Sequence, residues 1–190
     1  MKRKLIALIL ILCLILCGCG KESRPAEWED SWTAIAPCLA SEGLEGFTFA
    51  ESADTFGIGG VYYATWTQGA KREYTNAQGE ETFIFDAQLY AVVQECRTEA
   101  EADQSISAWI AREQQNYSCA EPREVLSNDR TYTLLPMNQG SEGNPYPFGC
   151  AAFIRIGTNA LCVELVCAET FTGDPQALLE AFLSGLHYHE

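Results

Sequence analysis

Thiols, carboxylates and two imidazoles are the side chains in this sequence that could do chemistry. Nine cysteines occur in 190 residues. Beyond the N-terminal stretch the nearest two, Cys162 and Cys167, are separated by four residues. On a strand that spacing puts them on opposite faces, which suits neither a redox dithiol nor a zinc knuckle. His187 and His189 flank Tyr188 at the C-terminus, without the third and fourth ligands that zinc requires. Glu99, Glu101 and Asp103 fall in the first turn of a predicted helix, where they complement its dipole. Gly57-Ile58-Gly59-Gly60 precedes a strand, the wrong context for a dinucleotide loop. These residues assign no catalytic, cofactor or metal set. The rival to a non-catalytic reading is a hydrolase in which a carboxylate pair, for example Asp86 and Glu164, works as acid and base.

The clearest chemistry lies at the other end of the chain. Met1-Lys2-Arg3-Lys4 is a basic start, Leu5 to Leu16 is apolar, and Leu16-Cys17-Gly18-Cys19 follows with the small residue that a signal peptidase needs before its cut. An apolar run from Leu5 to Cys17 is short of the about 20 residues of a membrane-spanning helix. The stretch resembles the lipobox of bacterial lipoproteins. That resemblance implies a diacylglyceryl group on Cys19, a domain on the extracytoplasmic face of the cell membrane, and residues 1-18 as leader. Two acyl chains hold stably where one binds reversibly, at about 0.8 kcal/mol per buried methylene.

Loss of Lys2, Arg3 and Lys4 with such a leader takes the formal charge from -14 to -17. A surface so acidic repels nucleic acid, whose binding depends on Lys and Arg neutralising phosphates. Outside the cytosol, the even set Cys38, Cys96, Cys119, Cys150, Cys162 and Cys167 suggests disulfides, and free buried thiols packing as small hydrophobes are the alternative.

The elements that must position these groups can be read from hydrophobic periodicity. Residues 19-27, polar and with Pro25, read as a tether, and 28-190 as one α+β domain. Trp28, Trp32 and Ile35 recur at helical spacing, and Phe47 to Phe49 and Val61 to Thr67 read as strands. Alternation from Thr82 to Gln94 predicts one long central strand with Phe83, Phe85, Ala87, Leu89, Ala91 and Val93 on one face. Thr98 and Glu101 have the spacing of a capping box and open a helix over 99-116 with the apolar stripe Ala102, Ile106, Trp109, Ile110. Its two ends keep Cys96 and Cys119 too far apart to bond. Two strand pieces around Asn128-Asp129 and a long loop, Asn138 to Gly149, come next. Asp174 as N-cap and Pro175 at the first helical position open a terminal docking helix.

Between Cys150 and Cys167 two strands surround Thr158-Asn159. A two-residue loop there sets Ile156 opposite Leu161 and Cys150 opposite Cys167, with α-carbons about 4.5 Å apart, so the pair is the expected bridge. The pairing of Cys38, Cys96, Cys119 and Cys162 stays open.

The assembled order predicts an antiparallel sheet covered by helices. In element order, over about Val61 to His187, it resembles the PsbP-like α/β/α sandwich, a fold of extrinsic photosystem II subunits and of some envelope lipoproteins, which implies a binding or accessory role. The expectation is a lipid-anchored, non-enzymatic envelope protein that binds a partner protein or small ligand, with no cofactor. Tyr62, Tyr63, Trp66 and Tyr74, with Tyr146 in the loop Asn138 to Phe148, form the candidate binding surface, since aromatic residues dominate binding hot spots, although a strand buries alternate residues.

Overall fold

The computed structural model describes residues 44–54, 60–76, 79–127 and 129–186. The leader with Cys19, the turn expected at Trp28 to Ile35, Cys38, Gly57 to Gly59, and His187 and His189 lie outside the described residues.

The fold is α+β, an eight-strand antiparallel sheet packed against two helices. Along the chain come β1 (Thr48–Asp54), β2 (Val61–Gln68), β3 (Arg72–Thr75), β4 (Glu81–Ile84), β5 (Ala87–Glu95), α1 (Glu99–Asn116), β6 (Tyr117–Cys119), β7 (Arg123–Ser127), β8 (Arg130–Gly140), β9 (Phe148–Ile156), β10 (Asn159–Cys167) and α2 (Pro175–Gly185). The sheet runs β1-β2-β5-β10-β9-β8-β6, with β7 also on β8, while β3 and β4 form a separate ribbon.

Both helices start where their caps dictate. The Glu101 amide donates to Thr98 Oγ1 at 3.2 Å, and the Glu101 carboxylate reaches back to the Arg97 amide at 2.8 Å. Asp174 Oδ1 accepts from the Gln176 and Ala177 amides at 2.9 and 3.3 Å. These bonds satisfy donors that a helix start leaves without intrahelical partners.

Strand alternation sends the two helices to opposite faces. Leu161, Val163, Leu165 and Cys167 of β10 join Ala152, Ile154, Leu89 and Trp66 in the core that α2 closes with Leu179, Phe182 and Leu183. Cys162 of the same strand faces the other way, with Phe153, Ala151 and Leu135, beneath Ile106, Trp109 and Ile110 of α1. Trp66 meets Phe182 edge to face at 5.5 Å, a geometry that adds to simple area burial.

Three expectations are corrected. The long strand over 82–94 is two strands, broken at Phe85-Asp86. The Asp86 backbone leaves the alternation to bond Gln68 O through its N–H and the Ala168 N–H through its carbonyl. Phe83, on the ribbon, is consequently half exposed, under the Lys71 ammonium. The loop expected at Asn138 to Gly149 shrinks to residues 141–147, because β8 and β9 continue into it from both sides.

The third correction concerns the hairpin. Its turn is Gly157-Thr158, not Thr158-Asn159, and Ile156 pairs with Asn159. Gly157 takes a φ of +57°, the conformation that glycine supplies most cheaply at the first position of a tight hairpin turn. The register therefore moves by two residues: the alternate residues Cys150 to Ile156 and Leu161 to Cys167 keep their shared face, but Cys150 lies opposite Leu165, and Cys167 opposite Phe148. The two thiols are diagonal neighbours, a relation that puts α-carbons about 7–8 Å apart and beyond the reach of a bridge. Cys150 and Cys167 are free, as are Cys96, Cys119 and Cys162. Cys150 donates its S–H to Pro175 O at 3.1 Å instead. Burial pushes the Cys167 thiol up to about 12 and the Cys150 and Cys162 thiols well up too, so these sulfurs are packing groups, not nucleophiles.

Candidate functional site

Two clefts carry the polar chemistry of the described residues. The first lies where α1 ends over the middle of the sheet. The last helical turn supplies Arg112, Glu113 and Asn116, β6 supplies Tyr117, the 141–147 loop supplies Ser141 and Asn144, and Glu164 rises from β10. These residues line a cavity of about 340 Å³. Arg112 holds Glu113 from two nitrogens, Nε at 2.6 Å and Nη2 at 2.5 Å from the same Oε1. The same Nη2 stands 3.7 Å from Glu164 Oε2, too far for a hydrogen bond.

The two carboxyls are thus treated differently. Glu113 is 2 % exposed and held by the guanidinium through Oε1, whereas Glu164 is 16 % exposed and makes no hydrogen bond among the described residues. Burial, and then the neighbouring Glu113 charge, push Glu164 up to about 7, against the pull of Arg112. Around them, burial also raises Tyr90, and raises Tyr117 to about 12 despite its bond to Asn144, so both phenols are neutral. The cleft therefore holds one carboxyl that exchanges its proton near neutrality.

A cleft of about 640 Å³ lies at the start of α2, with an apolar wall of Phe171, Ala177 and Leu178 and a polar rim including Asp86, Thr172 and Asp174. Its rim is fixed by a compact cluster: Arg72 Nη2 lies 2.9 Å from Asp86 Oδ1 and donates to Thr170 Oγ1 at 2.8 Å, and the Thr170 hydroxyl donates to Asp86 Oδ1 at 2.5 Å. Gly69, at a φ of +88°, lets the Asp86 carboxylate lie against its backbone where a Cβ would overlap it. Thr170 also faces a smaller cavity of about 320 Å³ under the ribbon.

Asp86 and Glu164, the carboxylates named from sequence, are not brought together. Glu164 lies opposite Tyr90 of β5, four residues past Asp86 and roughly 13 Å from it by strand rise. Asp86 belongs to the rim of the large cleft, and Glu164 meets Glu113 instead. The aromatic surface is divided as well. Tyr62 and Trp66 are in the core, Trp66 at 1 % exposure, while Tyr63 faces outward. Tyr74 donates to Gly143 O at 2.5 Å, and Tyr146 accepts from the Phe85 amide at 3.1 Å, so both tie the 141–147 loop to the ribbon.

Sequence reasoning missed Arg112, Glu113 and Phe171 as site residues, and reached Asn144 only as part of the loop Asn138 to Phe148. A signal existed for Glu113: counting from Ala102 through Ile106 and Trp109, it is the next residue of the apolar stripe, so a charge there falls on a buried position. Glu164 carries the same signal between Cys162 and Val166.

Among the described residues no group of three or more His, Cys, Asp or Glu could hold a metal ion, and no helix is long and apolar enough to cross a membrane. Comparison with protein-family models and with curated proteins finds no match.

Proposed function

We propose that this chain is an envelope protein, anchored to the membrane through a diacylated Cys19, whose domain binds a small ligand or partner protein without turning it over. The observation that carries the binding reading is the cleft of about 640 Å³ beside α2. Its size falls within the range of small-molecule sites, and an apolar wall with a few fixed polar groups is their usual make-up. The resemblance to a PsbP-like α/β/α sandwich belongs to the same proposal, supported by the placement of α1 and α2 on opposite faces. Its acidic surface disfavours nucleic acid as the partner.

A second reading, a surface hydrolase, is favoured by the meeting of Glu113 and Glu164 in one cleft with Glu164 raised to about 7. Against it, an acid and base pair must both reach the substrate, and Glu113 is sealed behind Arg112.

Two measurements test the proposal. Metabolic labelling with an alkyne fatty acid should mark the wild-type chain and fail on Cys19→Ala; equal labelling removes the anchor. Native mass spectrometry of the full chain in detergent, with a panel of small amphipathic compounds, should show adducts that Leu178→Arg abolishes. Adducts unchanged in that variant would move the site elsewhere, and hydrolysis of any panel ester or glycoside that Glu164→Gln abolishes would favour the second reading.

A further inference from the structure

The cleft beside α2 contains two carboxylates, and each uses only one oxygen to hold the fold together. Asp86 Oδ1 takes the Arg72 guanidinium and the Thr170 hydroxyl, while Asp174 Oδ1 takes the Gln176 and Ala177 amides. Neither Oδ2 has a hydrogen-bond partner among the described residues. Asp86 Oδ2 lies against Gly69, itself part of the lining. Asp86 is about one-third exposed and Asp174 is exposed, so both carboxylates are within reach of a ligand. Opposite chemistry lines the wall, where Phe171, Ala177 and Leu178 are apolar. The Phe171 ring is fixed there: it lies against Gly173, where a Cβ would overlap it, and packs on Phe148 at 6.4 Å.

The groups that would hold an anion are already engaged. No Lys, Arg or His is among the described residues lining the cleft. Arg72, beside its rim, is held by Asp86 and Thr170. A helix start commonly binds anions through its free amides, but here Asp174 takes those of Gln176, Ala177 and Leu178. A bound carboxylate or phosphate would therefore face two carboxylates without a cation. A neutral apolar molecule would cover the wall and leave both free oxygens without a donor. We propose that the cleft takes an organic ammonium ion, its apolar body against Phe171 and Leu178 and its N–H groups on a free carboxylate oxygen of Asp86 or Asp174. This assignment rests on the reading of the cleft as a binding site and adds the sign of the ligand's charge. An ammonium brings three donors and no acceptor, the complement of that rim. The chain's net charge of -14 favours the same sign at long range.

Amide-shift titration of the full chain in detergent at neutral pH, with phenethylamine, phenethyl alcohol and phenylacetate, presents one apolar body as cation, neutral molecule and anion. The amine should bind on the order of tenfold more tightly than the alcohol, the difference between a hydrogen bond to a charged group and a neutral one, and phenylacetate should bind most weakly. Shifts should centre on Gly69, Thr172 and Leu178. Asp174→Asn keeps the helix cap, because Asn caps as well as Asp, and Asp86→Asn keeps an oxygen toward Arg72 and Thr170. In at least one of these variants the advantage of the amine should shrink toward parity while the alcohol binds as before. An advantage intact in both would overturn the assignment. Equal wild-type affinities for amine and alcohol, both lost in Leu178→Arg, would overturn the ammonium and leave the cleft as a binding site. No binding by any of the three, or amine shifts unchanged in Leu178→Arg, would overturn both. Should neither Asn variant fold, added salt should narrow the amine's advantage in the wild type, since exposed charges are screened, and an advantage indifferent to salt would overturn the assignment equally.

Discussion

The two faces of one sheet are built to different rules. On the α2 face, β10 contributes Leu161, Val163, Leu165 and Cys167 to a continuous apolar core with Trp66, Leu89 and Leu179. On the α1 face the alternate residues of the same strand are Cys162, Glu164 and Val166, and the helix above adds Arg112 and Glu113 to Ile106, Trp109 and Ile110. One face gains stability from packing and loses it only through cavities. The other contains a charge arrangement whose energy depends on pH. A face can afford such a group when the opposite face supplies the stability, and this division is where structure and function separate in the molecule.

The largest effect that could break the comparison is on the dry face. Trp66→Ala should cost about 3–5 kcal/mol in denaturant unfolding, as large core truncations do. Trp109→Ala, removing a half-buried ring from the α1 face, should cost clearly less. Equal losses would mean that both faces carry the fold alike.

Next is the pH dependence. A carboxyl whose folded value is raised from 4.5 to about 7 gives its full relative stability below 4.5 and loses it as pH climbs to 7. The wild type should therefore lose on the order of 3 kcal/mol relative to Glu164→Gln across that window, with no further change above it. Parallel profiles for the two proteins would show that burial does not perturb Glu164.

Smaller effects sharpen the contrast. The helices on the two faces are capped by the same device, so Thr98→Ala and Asp174→Ala should each cost about 1 kcal/mol. Arg155, on the α1 face, pairs with Glu99 and Asp103 at 2.9 and 3.0 Å, with both carboxylates about two-thirds exposed. Arg155→Ala should change stability by less than about 1 kcal/mol, because solvent and salt screen such pairs. A larger loss would place electrostatics beyond the Glu164 cleft in control of that face.

Local chemistry made much of this fold legible in the sequence. Thr98 with Glu101, and Asp174 with Pro175, mark helix starts that depend on neighbours a few residues away, and both helices begin there. The face membership of Cys150 to Cys167 followed from alternation alone. Register did not, because it hangs on which residue takes the positive φ, and Gly157 was the stronger choice by its missing Cβ. The break at Asp86 was hidden for a different reason: its partners Arg72 and Thr170 are 14 and 84 residues away in sequence, and no periodicity reports a distant ion pair. The cleft was half legible. Glu113 and Glu164 each interrupt an apolar repeat, but only the fold shows that the two interruptions face each other.

The central claim is that the α1 face stores a titratable, largely buried carboxyl at the floor of a polar cleft, and a ¹³C carboxyl titration of Glu164 in the full chain measures it most directly. An apparent pKa near 7, moving down when Glu113 is replaced by Gln, is the result the arrangement of Arg112, Glu113 and Glu164 predicts. A value near 4.5, indifferent to Glu113, would contradict it.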